Sequence, residues 1–577
     1  MDVGVQQATL KKLVSSRLGS LAESVDEING QAVAEVTAVN LRPALSTLKE
    51  SPELKFDYLS FVSAVDLYPR SPRFDAIYNL YSTQRHHWLR LKVPVAEEET
   101  LPTVSDLYAT ANWHEREVWD LFGITFDRHP DLRRIVTSDH WFGHPLRKDY
   151  PVEGRGAWPL GANVLQNIAE EGMADQADIA SSEMGPARHI TLNMGPQHPA
   201  THGVLRLALE LDGENIVDCI PHIGYLHTGI EKLSEHHNWT QNVTHYGRMD
   251  YLSPMNNELA YCLAVERLIP DLEIPKRAQY IRVLMSELTR IISHLVWLGT
   301  HALDIGAMSV FMYCFAEREK ILDLYEMVGG ERMMTAYIRI GGCAADVPEG
   351  FEEAVQGWAR DFQHNLDINH NLLTKNPIWK ERTVGIGVLG REESINAGIS
   401  GPLARAAGVD WDLRRDNPYS SYEEFDFDIP VETAGDVYSR YLVRMEEMVQ
   451  AHRIVLQALE KIRETEPGTH VSRNYKYVPP RREDIDASIE GLIHHFKYWT
   501  EGIPVPTGEA YGFIEASKGE LGFYLVSDGS ARPVRVKVRG PSFSNLSALP
   551  RMVQGHLIAD VVAIIGSIDI VLGEVDR

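Results

Sequence analysis

Between Pro151 and Ala187 the hydrophobic periodicity that runs through the rest of the chain collapses. The stretch GRGAWPLGANVLQ and the acidic, Ala- and Ser-rich run after it offer no apolar face to bury, so they read as a linker. At 577 residues the chain is in any case long for one domain. The break divides it into a unit over 1–150, a linker over 151–188 and a unit over 189–577. A hydrophobic content of 44% allows a substantial core on each side.

Before the break, AIYNLYS and LRLKVPV read as strands, and they precede an amphipathic helix predicted from about Thr103 to Phe122. Its stripe is Leu107, Ala111, Val118 and Leu121, with Thr103 and Asp106 spaced as a capping box. This is a small α/β unit. After the break helical patterns dominate. Past Pro275, Ile281, Leu284, Met285, Leu288, Ile291, Leu295 and Leu298 recur at helical spacing, with Glu287, Arg290 and His294 on the opposite side. Near the end AYGFIEASKGELGFYLVSDG and VRVKVR alternate as antiparallel strands do, and Gly519 is placed for a turn. The predicted fold class is α+β: a small α/β unit joined to a mainly helical one with antiparallel β elements.

Formal charge is 56 minus 81, or −25. That argues against nucleic acid and against docking on anionic lipid through a basic face. Cys219, Cys262, Cys314 and Cys343 are widely spaced with no CxxC, which suggests neither a disulfide framework nor a thiolate-held cluster. The N-terminus lacks the apolar stretch of a signal peptide. The most apolar tract, HLIADVVAIIGSIDIVLG, contains His556, Asp560 and Asp569 and reads as a buried segment rather than a membrane span. A role at a membrane would need another protein to hold the chain there.

In Gly195 to Gly203, GPQHPATHG, two histidines four apart are interrupted by Pro196 and Pro199, which fix φ and remove donors. The segment therefore reads as a rigid hairpin tip, with His198 and His202 as metal ligands, a proton-donating pair, or caps of the turn. GIGVLG, Gly385 to Gly390, matches a dinucleotide fingerprint, but it follows the charged KERT in a helical region and reads as a glycine-rich loop without NAD. PHIGYLHTGIEKLSEHHNWTQNVTH is rich in histidine, yet its spacings match no common ligand pattern. Arg116 and Asp120 in HEREVWDLFG read as an exposed i,i+4 salt bridge.

Glu115 to Glu117 (ERE), followed by DLF and by HPDLRRI at His129 to Ile135, resembles the signature of the C-type subunit of the proton-pumping NADH:quinone oxidoreductase, respiratory complex I. GHPLRKDYP resembles the end of that subunit. GPQHPATHGVLRL, LHTGIEKLSEHH, RMDYLSPM, HALDIGAMS and IDIVLGEVDR resemble the D-type subunit, in order. The chain thus looks like a fusion of the C-type and D-type subunits. The D-type subunit is similar in fold to nickel-iron hydrogenase large subunits, whose paired CxxC motifs hold the metals. Here GYLHTGIEK and a cysteine-free tract stand in their places, so the thiolate ligands for nickel are missing.

The resemblance implies that the vacated cavity receives a quinone headgroup facing an iron-sulfur cluster of the B-type subunit. The quinone contacts then map onto His202 and Tyr251, with His198 either lining the same cavity or holding the turn. Asp304 in HALDIG matches the aspartate partner of His202; such a carboxylate would favour imidazolium. The implied catalytic residues are His202, Tyr251 and Asp304. Asp576 and Arg577 read as structural anchors, and the C-like unit as a scaffold. Thr228 departs from the arginine usual in mitochondrial relatives. No cofactor or metal is expected on this chain: quinone is substrate, and iron-sulfur clusters and FMN belong to partner subunits. The expected partners are the B-type subunit, the other peripheral-arm subunits and the membrane quinone-channel subunit, at the cytoplasmic face of the bacterial inner membrane. The alternatives are the same role in a complex fed by ferredoxin or a deazaflavin, or a non-catalytic scaffold.

Overall fold

The alternating runs of the first unit become strands because β-branched and aromatic side chains pack well on a pleated surface. In the computed structural model, which describes residues 3–153 and 189–577, helix α1 (Val3–Leu18) leads to β1 (Ala22–Ile28) and β2 (Gln31–Val36). There follow α2 (Leu41–Glu50), β3 (Tyr58–Asp66), β4 (Phe74–Tyr81), β5 (Trp88–Val95) and α3 (Ala111–Phe122). The sheet order is β1-β2-β5-β4-β3, antiparallel except for the parallel β2–β5 pair. Every residue of β3 is buried, so both of its faces are covered. Apart from its first three residues, the segment read as a linker lies outside the described residues.

Helix α3 is shorter than its periodicity predicts. Glu115 reaches back to accept the Thr103 hydroxyl at 2.5 Å and the Val104 N–H at 2.8 Å. That straps residues 103–110 across the helix instead of extending it, and Asp106 pairs with Arg42 at 2.6 Å rather than completing a capping box. The exposed Arg116–Asp120 salt bridge is also corrected: both residues are buried. Asp120 binds Arg134 at 2.7 Å and accepts the N–H groups of Ile135, Val136 and Thr137, each at 3.0 Å. Arg116 donates to the carbonyls of Arg133 and Arg134. The HPDLRRI loop folds over this face, so charges that look solvent-facing along the helix become its anchors.

The second unit opens with β6 (His189–Met194), β7 (Arg206–Asp212) and β8 (Asn215–His222), an antiparallel sheet in the order β8-β7-β6. Then come α4 (Pro254–Glu266), α5 (Lys276–Asp304), α6 (Met308–Gly329), α7 (Phe351–Leu373) and α8 (Val437–Arg463). Helix α5 packs on both α6 and α8. Its supposed polar side is buried too: Glu287, Arg290 and His294 face Arg414, Glu447 and Arg405 in a charge network without solvent. The antiparallel meander β9 (Gly508–Ala516), β10 (Gly519–Ser527) and β11 (Arg535–Arg539) turns at Gly519 as predicted. Helix α9 (Ile558–Ile568) fills the core from the apolar tract. No helix among the described residues is long and apolar enough to cross a membrane.

The meander joins the two units. Glu509 of β9 binds Arg90 and Lys92 of β5, at 2.9 and 2.5 Å. Glu520 of β10 accepts from Tyr58 and Ser60 of β3, at 3.0 and 2.7 Å. Arg535 of β11 donates to the Ala64 carbonyl at 2.9 Å.

Candidate functional site

The hairpin between β6 and β7 carries both histidines of GPQHPATHG. At its start Gly195 has φ +85°, and a Cβ there would meet the Leu205 carbonyl at 2.0 Å, so only glycine fits. Pro199–Thr201 form one 3-10 turn capped by His198, whose Nδ1 accepts the Ala200 N–H at 3.2 Å. His198 is exposed and holds the turn. His202 closes it in the left-handed region at φ 51°, uncommon for a residue with a Cβ and concentrated at functional positions. Burial, and after it the Lys518 ammonium, push the His202 pKa down to about 4. The ring is neutral at pH 7 and keeps one N–H to donate.

Lys518 is the residue that sequence reasoning missed. ASKGE reads as an ordinary hairpin tip, and nothing local marks its lysine. In the fold it is buried, 1% exposed, and its Nζ donates to Ser293 Oγ at 2.9 Å. It faces Asp250 at 3.1 Å and Asp569 at 3.8 Å. Burial opposes the charge, but Asp250, Asp569 and Glu574 overcome it and raise the Lys518 pKa. Tyr251, beside Asp250, is 36% exposed. Burial and Asp250 raise its phenol pKa while Lys518 opposes them. Lys518 thus lies within charge range of both His202 and Tyr251, and burial keeps each of them a neutral donor.

Asp304 ends α5 and is exposed. Burial of its carboxyl raises its pKa, and the charge opposing that rise is His198. The His198 imidazole lies within charge range of Asp304. The 3-10 turn between the two histidines packs on α9. The 1180 Å³ cavity between the units, lined by Arg85, Trp88, Arg267 and Phe513 among others, contains none of these residues.

The other singled-out motifs are accounted for by structure. GIGVLG is a loop preceded by a helix rather than a strand; its Gly385 N–H binds Asp436 at 2.8 Å. In the histidine-rich segment, Glu231 pairs with Arg535 at 2.8 Å and Glu235 with Lys148 at 2.6 Å. Its His237 and His245 stack at 4.9 Å and share a 3.0 Å hydrogen bond.

Residues 304–577 match the family model of the respiratory-chain NADH dehydrogenase 49 Kd subunit, and residues 34–156 match that of the 30 Kd subunit. The D-type subunit of NADH-quinone oxidoreductase from Geotalea uraniireducens is 54% identical over 399 residues, 69% of this chain and 100% of the relative. That of Citrifermentans bemidjiense is 56% identical over 388 residues, 67% of this chain and 99% of the relative. The chain belongs to the family of NADH-quinone oxidoreductase D-type subunits. Because a 30 Kd-type match precedes the 49 Kd-type one, it is a fusion of a C-type and a D-type subunit of that oxidoreductase. The second of the numbered D-type subunits of Chloroflexus aurantiacus is 54% identical over 402 residues, 70% of this chain and 98% of the relative. His202, Tyr251, Asp304 and Lys518 all lie in the D-type half, and the last meets the C-type half through its β9–β11 meander.

Imidazoles that are buried or half-buried make acid destabilisation predictable. Burial lowers the pKa of His87 and His202 to about 4 and of His301 to about 3, from an ordinary 6.5. Between those values the unfolded chain binds protons that the native rings refuse, so their contribution is complete above about pH 6.5 and is lost as pH falls toward 4. Buried carboxyls such as Glu258, lifted to about 8, pull the other way over that range, so the urea midpoint of wild type is expected to fall relative to that of His301→Gln from pH 7 to pH 5. A constant difference over that range would mean the His301 ring titrates freely.

Proposed function

We propose that the D-type half presents the quinone-headgroup face of a proton-translocating NADH:quinone oxidoreductase. The B-type subunit completes the pocket, and its terminal iron-sulfur cluster supplies the electrons. The observation that supports this most directly is the pair of neutral donors, His202 and Tyr251, each within charge range of the buried Lys518 ammonium. A quinone carbonyl only accepts hydrogen bonds, so donors are what each end of the headgroup requires. Two electrons and two protons convert quinone to quinol. The Tyr251 O–H can give one proton, because Lys518 stabilises the phenolate left behind. His202, neutral at rest, orients the headgroup and passes a proton only after taking one up. Asp304 and His198 form the more exposed polar rim. The chain sits peripherally at the cytoplasmic face of the bacterial inner membrane, held by the quinone-channel subunit and the other peripheral-arm subunits; FMN and the clusters lie on those partners.

The test is Tyr251→Phe in membranes, comparing NADH:quinone turnover with NADH reduction of an artificial acceptor that takes electrons upstream. Quinone turnover is expected to fall roughly a hundredfold, the scale of a lost general acid, with the artificial rate and assembly intact. If both rates survive, Tyr251 is a packing residue and the assignment fails.

A further inference from the structure

The chemistry of the quinone site leaves unused a buried ion cluster where the halves meet. Glu117, in the ERE segment of α3, is 4% exposed. It receives Lys537 Nζ at 2.7 and 2.8 Å and Arg577 Nη2 at 2.6 Å. Burial pushes the Glu117 pKa up, but Arg577 and Lys537 overcome that and hold it well below the carboxylate range. Glu231 lies on the far side of Lys537, at 3.5 Å.

The segment that Arg577 ends touches the candidate site at several points. Asp576 accepts the N–H groups of Gly224 and Leu226 at 2.8 and 2.7 Å, and its carbonyl bonds His227 Nδ1 at 2.6 Å. Residues 223–229 have no helix or strand of their own, so these bonds define their path. Val136 of the C-type half closes the other side, its carbonyl 2.6 Å from where a Gly224 Cβ would be. Gly573 packs directly on the Met249 carbonyl, two residues before Tyr251; a Cβ there would come within 2.5 Å. Glu574 lies within charge range of both Asp250 and Lys518.

We infer that Glu117 of the C-type half is a positioning residue for the quinone site. By pairing with Arg577 it latches segment 571–577, which fixes the 223–229 loop and braces the backbone that carries Tyr251. This rests on the proposed role of Tyr251 at the quinone. It also gives the C-type half a direct part in the site rather than a scaffold's.

The test is the purified complex carrying Glu117→Gln with Lys537→Met, which removes one buried charge of each sign and leaves Arg577 without its carboxylate. Loss of a charge-assisted hydrogen bond predicts about tenfold faster hydrogen exchange at the Gly224 and Leu226 amides and about a tenfold rise in quinone KM. The artificial-acceptor rate should not change. Glu117→Asp, which keeps the charge, should restore both readouts most of the way. Unchanged exchange in the double variant overturns the latch; faster exchange with unchanged quinone KM overturns the positioning role. Arg577→Met gives the same readouts if the double variant does not assemble, and failure of both to assemble makes the cluster structural and refutes the inference. Normal quinone turnover in Tyr251→Phe would sink the pocket reading while leaving the exchange result standing, so the two failures are distinguishable.

Discussion

Arg405→Met is expected to destabilise the chain by about 3–5 kcal/mol, the scale for removing one partner of a buried ion network. Arg405 is fully buried and reaches Glu447 at 2.6 Å, Glu515 at 2.8 Å and Asp412 at 3.4 Å. Its loss is uneven among them. Glu447 keeps His294 at 2.8 Å and Asp412 keeps Arg414 at 2.7 Å. Glu515 has no comparable second cation; burial already raises its pKa to about 7 against the pull of Arg405. In the variant that carboxyl rises further, and a native pKa above the unfolded one favours folding as pH falls. The deficit relative to wild type should therefore be larger at pH 8 than at pH 6. Urea midpoints of the purified chain at both values check this. A deficit below about 0.5 kcal/mol, within the range of an ordinary surface change, would show that the interior carboxylates find other partners.

Lys518→Met is expected to cost a similar amount, about 3–5 kcal/mol, because Asp250 and Asp569 lose the ammonium between them. Burial already lifts Asp569 to about 6, with Lys518 and Arg444 opposing. The functional consequence separates this variant from a packing defect. Lys518 is the charge that lowers the pKa of His202 and opposes the rise at Tyr251. Without it the imidazole becomes easier to protonate and the phenol harder to ionise. Quinone turnover should fall steeply and its pH profile should shift upward, while NADH reduction of an upstream acceptor persists; Lys518→Arg should keep the profile. An unshifted pH profile in assembled Lys518→Met complex would place the ammonium outside the chemistry.

These residues also mark where reading the chain worked and where it failed. The GPQHPATHG hairpin was legible because Gly195 and the prolines restrict torsions within a few residues. The strands of the meander and the body of α5 were legible for the same reason, since alternation and helical spacing are short-range patterns. The failures share one cause. Arg116, Asp120, Glu287, Arg290 and His294 lie off the apolar stripes of their helices, which in a single helix means solvent. Each is buried because a later segment supplies an opposite charge, backbone carbonyls or a run of backbone N–H groups.

The sequence by itself determined the α+β class and, through its motifs, the family resemblance. The class follows from torsional limits and apolar periodicity and the resemblance from short motifs, all of which act within a window of residues. Only the tertiary structure decided that Lys518 sits between Asp250 and Asp569, that His202 is neutral, and that Glu117 of one half holds Arg577 of the other. A buried charge persists only where partners converge on it, and convergence from distant segments is a property of the fold that no local pattern encodes.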